Sequence, residues 1–159
     1  MLSGKTMASN ILKNNAASFS IIVHFQEKSS KYSQNRSQKK YEMINLHQKI
    51  KDVLLKAHIS ENYKGFLYLE YAICLVIQDE SRLSSIFNEV YTKVGDRFGA
   101  TPKAVERDIR TLRDAFWNNG GFEYFKKHCN VLLYNRPYAR ELIELFAEQV
   151  LREIREENF

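Results

Sequence analysis

Five charged side chains recur at helical spacing between residues 101 and 118: Lys103, Glu106, Arg107, Arg110 and Arg113. An arginine can donate two parallel hydrogen bonds to O6 and N7 of guanine, and a glutamate can accept one from N4 of cytosine. Because a glutamate is poorly suited to a purely phosphate-binding face, its place beside Arg107 favours contacts with base edges. The competing interpretation is a solvated helix face on which Glu106 pairs with Arg110, an i,i+4 contact worth only about 0.2–0.5 kcal/mol.

The residues before and between these charges predict a tight turn followed by an amphipathic helix. Gly99 suits the left-handed conformation that ends a helix, Thr101 is a good N-cap, and Pro102 fits the first helical position. Apolar side chains then recur at helical steps and predict one buried stripe, formed by Val105, Ile109, Leu112 and Phe116. A short helix, a glycine-containing turn and a helix with a basic outer face make a helix-turn-helix candidate, with Thr101–Asn118 as the recognition helix.

Helical periodicity continues through nearly all of the chain after residue 41. It predicts six helices, over residues 44–57, 66–77, 83–98, 101–118, 122–129 and 141–156. The second is apolar almost all round, which predicts that it is the central buried helix. No alternation typical of β-strands persists. We therefore expect an all-α domain of about six helices over residues 42–159.

The first 41 residues differ in composition from the rest, being rich in Ser, Asn, Lys and Gln, and they predict a flexible arm or linker. The alternative for this segment is a basic arm that contacts DNA phosphate. The formal net charge of +5 is unevenly spread, because residues 1–60 hold ten Lys or Arg against three acids. Residues 141–159 hold six Glu against two Arg. This distribution suits a polyanionic partner and predicts that the acidic last helix faces away from it.

Several classes of protein are disfavoured by the sequence. Cys74 and Cys129 are too few and too far apart for a disulfide framework, which favours a reducing cytoplasm, and Cys74 is expected to be a buried small side chain. No apolar run reaches the roughly 18–20 residues that span a bilayer, and the patch Phe19–Phe25 does not fit a signal peptide. The four histidines show no ligand spacing with cysteine or acidic residues, and no phosphate loop or nucleophile motif occurs. We expect no enzyme activity, no cofactor or metal, and no membrane partner.

Three separated motifs together resemble a known family. Residues 64–70 read KGFLYLE, residues 100–110 read ATPKAVERDIR, and residues 115–117 read AFW before the turn at residues 118–121. The C-terminal effector domain of the sporulation-initiation response regulators carries a K-G-Y-L-Y-L-type run, a V-E-R-x-I-R recognition helix and a Trp before a Gly turn. These occur in the same order, and the resemblance covers about residues 44–157.

The resemblance implies a six-helix effector domain of the helix-turn-helix, winged-helix-like class. Such a domain binds short operator boxes in promoter DNA and contacts the RNA polymerase sigma factor, and a homodimer on double-stranded DNA is a further expectation. Carried over residue by residue, the motif places Glu106, Arg107 and Arg110 in the major groove. The chain departs from the family where Thr111 replaces a common His and where Lys103-Ala104 replaces Ser-Arg, so the operator sequence does not carry over.

The remaining predicted DNA contacts are weaker in sequence specificity. Lys103 is expected to contact phosphate, where it positions the domain without specifying sequence. Thr111 is expected to reach a base or a phosphate, and Arg136 matches a basic position in the family and is expected to reach phosphate. Arg113 completes the predicted DNA-contacting set.

The family normally carries an N-terminal receiver domain with an acidic cluster and a phosphorylated Asp. Residues 1–60 contain only Glu27, Glu42 and Asp52 as acids, so we expect the receiver to be lacking, in an orphan effector or a fragment. The alternative function is a protein-interaction module that binds sigma factor or a full-length relative through Asn118, Phe122 and Phe125, without reading DNA sequence. Such a module would have no need for the arginines of the predicted recognition helix.

Overall fold

The computed structural model describes residues 34–158, and the chain divides between residues 43 and 44. On the N-terminal side, residues 34–43 are helical and exposed, with Gln38 donating to Glu42 across one helical turn at 3.5 Å. This differs from the irregular conformation expected for residues 34–41, and the reason is local, because Gln, Lys and Arg are good helix formers. Residues 1–33 of the predicted arm lie outside the described residues, and the flexibility of the arm stays a prediction.

The C-terminal unit is all-α, as the sequence predicts. Residues 44–56 form α1, and the α-helices that follow are α2 (Phe66–Gln78), α3 (Thr92–Phe98), α4 (Pro102–Asn118), α5 (Gly121–His128) and α6 (Ala139–Glu157). Residues 34–158 contain no strand, so the helix-turn-helix has no β wing in this part of the chain. Among these helices, none has both the length and the apolar character that crossing a membrane requires.

The segment between α2 and α4 is not the single helix expected over residues 83–98. It contains a 3-10 helix (Glu80–Ser85), a π-helical turn (Phe87–Tyr91) and then α3. The 3-10 helix begins at Asp79, whose carboxylate accepts from the Ser81 backbone N–H at 3.1 Å. At the π-helical turn, the backbone N–H and the hydroxyl of Thr92 both donate to the Phe87 carbonyl, which holds the wider turn in place.

The core is built around α2, which contacts α3, α4 and α6. Its buried side chains cover most of its circumference, as expected for a central helix: Phe66, Tyr68, Leu69, Ala72, Ile73, Cys74, Leu75 and Val76. Three fully buried rings, Phe116 of α4, Phe125 of α5 and Phe146 of α6, pack edge to face with centroids 5.2–5.8 Å apart. This cluster fixes the C-terminal half of α4 against its neighbours.

A close backbone approach fixes the middle of α4 against the start of α2. A Cβ built on Gly65 would lie 2.6 Å from the carbonyl oxygen of Asp108 and 3.2 Å from Leu112 Cδ1. Gly65 has an ordinary φ of −70°, so glycine is required here by the space available rather than by the backbone conformation. The glycine of the KGFLYLE motif therefore helps to position the predicted recognition helix.

Candidate nucleic-acid interface

The turn before α4 has the geometry that its residue types predict. Gly99 ends α3 in the left-handed region at φ 68°, and the Ala100 N–H donates to the Gly95 carbonyl at 3.0 Å. Thr101 is the N-cap of α4, and its hydroxyl oxygen accepts from the Ala104 N–H at 3.2 Å. Pro102 follows at the first helical position. The break between the two helices is thus closed by its own hydrogen bonds, which sets the direction in which α4 leaves the turn.

One face of α4 lies entirely in the core. The predicted stripe of Val105, Ile109, Leu112 and Phe116 is fully buried, with no exposed surface on any of the four. With this face locked against α2, α5 and α6, the opposite face of α4 must point to solvent.

The solvent face of α4 carries the residues predicted to contact DNA. Lys103, Arg107, Arg110 and Thr111 are exposed, with 67% of the Arg107 side chain and 50% of the Arg110 side chain accessible. Glu106 lies between them with 37% of its side chain accessible. Two arginine forks and a carboxylate on adjacent turns of one exposed helix can donate to guanine and accept from cytosine.

Contacts within α4 hold these side chains without occupying their recognition atoms. Arg107 donates through Nε to Asp108 Oδ1 at 3.1 Å, and its terminal nitrogens make no hydrogen bond within residues 34–158. Arg110 Nε lies 3.9 Å from Glu106 Oε1, a loose pair that a stronger partner can displace. The Thr111 hydroxyl donates to the Arg107 carbonyl at 3.2 Å, so its oxygen remains available as an acceptor.

Arg113 and Arg136 lie in a different environment from the other predicted DNA contacts, because both engage Asp114. Arg113 donates to Asp114 Oδ1 from Nε at 3.0 Å and from Nη2 at 2.8 Å, and only 16% of its side chain is accessible. Arg136, half exposed, donates to the same oxygen at 3.1 Å. The helical spacing of Arg113 could not predict this environment. It depends on the neighbouring Asp114 and on Arg136, a loop residue 22 positions after Asp114.

The residues predicted as a partner-binding surface are separated by the fold. Asn118 is exposed at the end of α4, and Phe122 is half buried with its ring 4.7 Å from that of Trp117. Phe125 lies in the core with no exposed surface, so its predicted partner contact is corrected to a packing role. Phe125 faces inward because α5 turns that side towards Phe116 and Phe146, a tertiary contact that the short helix did not reveal.

The structure also brings together a histidine, an acid and a cysteine that the sequence spacing did not connect. His47 Nδ1 lies 3.0 Å from Glu70 Oε1, and His47 Nε2 lies 3.9 Å from Cys74 Sγ. Cys74 is fully buried, as expected, and burial raises the pKa of its thiol, so the group stays protonated and out of reach of a substrate. No cluster of three or more potential ligands suited to a metal occurs within residues 34–158. The arrangement therefore links α1 to α2.

Comparison with protein families agrees with this geometry. The family model described as the sporulation initiation factor Spo0A C terminal matches residues 50–150, which is more than half of the chain. The chain belongs to this family. The resemblance expected from the three motifs is confirmed, and the matched span contains α2 to α5, the helix-turn-helix and most of α6. As a member of the Spo0A C-terminal family, the chain is a helical DNA-binding effector domain that acts in transcription regulation and sporulation.

Proposed function

We propose that this Spo0A C-terminal domain reads promoter boxes in double-stranded DNA by placing α4 in the major groove. Arg107 and Arg110 donate to guanine O6 and N7, and Glu106 accepts from cytosine N4. The observation that carries the proposal is the division of α4 into two faces, one fully buried and one with both arginine forks accessible. A helix fixed in this way presents its readers at a constant angle to the base pairs.

Phosphate contacts on either side of α4 complete the proposed mode of binding. Lys103 is exposed in the first turn of α4, and Arg136 is half exposed in the loop before α6. Both can approach the sugar–phosphate strands that border the major groove, where they fix the register of the domain and carry no sequence information. Arg113 contributes indirectly in this proposal, since its fork is already held by Asp114.

The test is a binding assay at fixed salt with promoter fragments selected from a random DNA pool. Arg107→Ala and Arg110→Ala should each weaken binding to the selected sequence by about 5- to 150-fold, which corresponds to about 1–3 kcal/mol per good bidentate pair. Lys127→Ala is the matched control, because it removes one exposed positive charge from α5 without altering the α4 face. If the Arg107/Arg110 double variant binds the selected sequence as tightly as wild type, the base-reading proposal is wrong.

A second variant separates reading from positioning. Lys103→Ala should weaken binding to all sequences by about the same factor and lower the dependence of log K on log[salt] by about 0.9, the contribution of one phosphate contact. A change in the preferred base sequence would contradict the phosphate role of Lys103. The same proposal includes three further features of the domain. It contacts the sigma factor, it binds DNA as a homodimer, and it resides in the cytoplasm on the nucleoid. The spacing of paired boxes in the selected DNA tests the homodimer.

The interaction-module alternative makes the opposite prediction in the same assay. It requires binding to a protein partner through Asn118 and Phe122, and it requires that loss of Arg107 and Arg110 leave function unchanged. The accessible, weakly paired forks of these arginines favour DNA reading over this alternative.

A further inference from the structure

A groove of about 440 Å³ opens beside the reading face, between α4, the start of α6 and the π-helical turn. Its polar lining comes from three separate elements: Glu106, Arg110 and Arg113 of α4, Tyr138 and Arg140 at the start of α6, and Tyr91. We call this the α4–α6 groove. Two of its lining residues, Glu106 and Arg110, are also proposed base readers, so any occupant lies directly beside the bases being read.

The lining of the groove carries a net positive charge. Three arginines face it against one carboxylate, and the charge of Arg113 alone is matched by a close acid, Asp114. Arg110 has only its loose pair with Glu106, at 3.9 Å. A concave, basic lining of this kind favours an anionic occupant, since the arginine charges otherwise repel one another.

Arg140 is held in place but has no acid partner. Its Nε donates to the Leu83 carbonyl at 2.9 Å, which ties the guanidinium to the 3-10 helix. Its terminal nitrogens make no hydrogen bond or ion pair within residues 34–158. A planar fork that is fixed at one nitrogen and open at the other two has the geometry for bidentate recognition of a phosphate.

The tyrosines add neutral donors to the same site. Tyr91 is 4% exposed, and burial raises its pKa to about 12, with Glu106 adding to the effect and Arg110 opposing it. Its hydroxyl therefore keeps its proton at neutral pH. Tyr138 stands at the rim with 75% of its surface exposed, where its ring and hydroxyl are open to a nucleotide.

We propose that the α4–α6 groove is a phosphate-binding site in which Arg140, with Tyr138, holds one phosphate of the DNA strand that borders the promoter box. This site deepens the proposed function and rests on it for the source of the phosphate. A free nucleotide offers the same chemistry, so the experiment must separate the two sources.

The first arm of the test measures DNA affinity against salt for Arg140→Gln and for the matched control Arg155→Gln. Both variants lose one positive charge from α6, but Arg155 is exposed at the far end of the helix, about 22 Å away at 1.5 Å per residue. Arg140→Gln should weaken binding to the selected sequence about tenfold and lower the salt slope by about 0.9, whereas Arg155→Gln should change neither beyond about twofold. Thermal unfolding of both variants checks that the lost bond to Leu83 has not unfolded the domain.

The second arm uses wild-type protein, so it does not depend on how the variant folds. Neutral methylphosphonate links are placed one at a time along the strands that flank the selected box. One position should weaken wild-type binding about tenfold and should have no further effect on Arg140→Gln. In the third arm, DNA-free protein is titrated with AMP and with pyrophosphate, while amide shifts of residues 138–142 are followed by NMR.

Each outcome decides the matter. A reduced salt slope together with one interfering phosphate supports the DNA strand as the source. A second outcome is saturable nucleotide binding that Arg140→Gln abolishes, with an unchanged salt slope for DNA binding. This outcome supports a phosphate site in the groove and assigns it to a free nucleotide. No effect in any arm overturns the proposal. If wild type shows no sequence-selective DNA binding at all, the proposed function fails, and the nucleotide titration still tests the groove by itself.

Discussion

Replacing Gly65 by alanine tests whether the backbone contact between α2 and α4 positions the reading helix. The added Cβ would lie 2.6 Å from the Asp108 carbonyl oxygen and 2.9 Å from its carbon, well inside van der Waals contact. These are backbone atoms of α4, so the helices must separate instead of a side chain moving aside. Overpacking of this kind costs about 1–3 kcal/mol, and the lower chain entropy of alanine offsets about 0.4–1 kcal/mol of it.

The net loss for Gly65→Ala is therefore about 1–2 kcal/mol. Urea unfolding followed by circular dichroism should show the midpoint falling by about 1 M at an unchanged slope. Because the displaced atoms belong to α4, DNA affinity should also fall under conditions where the variant is fully folded. Gly65→Ser separates the clash from capping, since serine improves an N-cap but brings the same Cβ.

Gly99 provides the matched control, because this position requires glycine for its backbone conformation and not for lack of space. It has a φ of 68° with open space around the position of a Cβ, so Gly99→Ala should lose about 1 kcal/mol and Gly99→Asn should recover most of that loss. At position 65, by contrast, Gly65→Ser should recover little of the stability that Gly65→Ala loses, because both variants carry the clashing Cβ. A Gly65→Ala variant with an unchanged or higher midpoint would refute the claim that this contact sets the position of α4.

Three further predictions concern the supports of α4 and the α1–α6 contact. Phe125→Ala should cost about 3–5 kcal/mol in urea unfolding, because a fully buried ring leaves a cavity; a stable variant would contradict its core role. Thr101→Ala should cost about 1 kcal/mol through loss of the cap on α4, and Thr101→Ser should retain most of that stability. Burial pushes the pKa of Glu153 up, but hydrogen bonds from Gln149, Lys56 and Lys49 and the charge of Lys56 together hold that pKa below its usual value. Its stabilising effect is then present above the unfolded-state pKa and lost as pH falls through the folded one, so the deficit of Glu153→Gln, about 1 kcal/mol at pH 7, should vanish towards pH 3.

Helical periodicity predicted the buried face of α4 because that face depends on a single helix. Val105, Ile109, Leu112 and Phe116 are buried at the spacing the sequence shows, and the turn residues Gly99 and Thr101 adopt the conformations their types favour. These features are encoded locally, by side-chain spacing and backbone preference. The family motifs extended the prediction to the whole helical domain.

Features that depend on contact between elements were not predicted. The apolar residues from Leu83 to Val94 keep helical spacing, yet a π-helical turn interrupts them and Phe87 is left 43% exposed. Phe125 is buried because of rings on two other helices, and His47 meets Glu70 and Cys74 only after α1 packs on α2. Each of these depends on residues in other helices or on a register shift that composition does not encode.

Glu106 connects the reading face of α4 with the groove beside it, so that the two form one binding surface. Its carboxylate lies on the exposed face, lines the α4–α6 groove and pairs with Arg110 at 3.9 Å. A pair this long, on a half-exposed helix face, is worth only a few tenths of a kcal/mol, so DNA can take over either partner at little cost. In the free domain the same carboxylate offsets part of the charge of three neighbouring arginines. When a phosphate enters the groove, that balancing role is no longer needed, and Glu106 becomes available to a cytosine. Phosphate binding and base reading should therefore be coupled, and the coupling should be lost in Arg140→Gln.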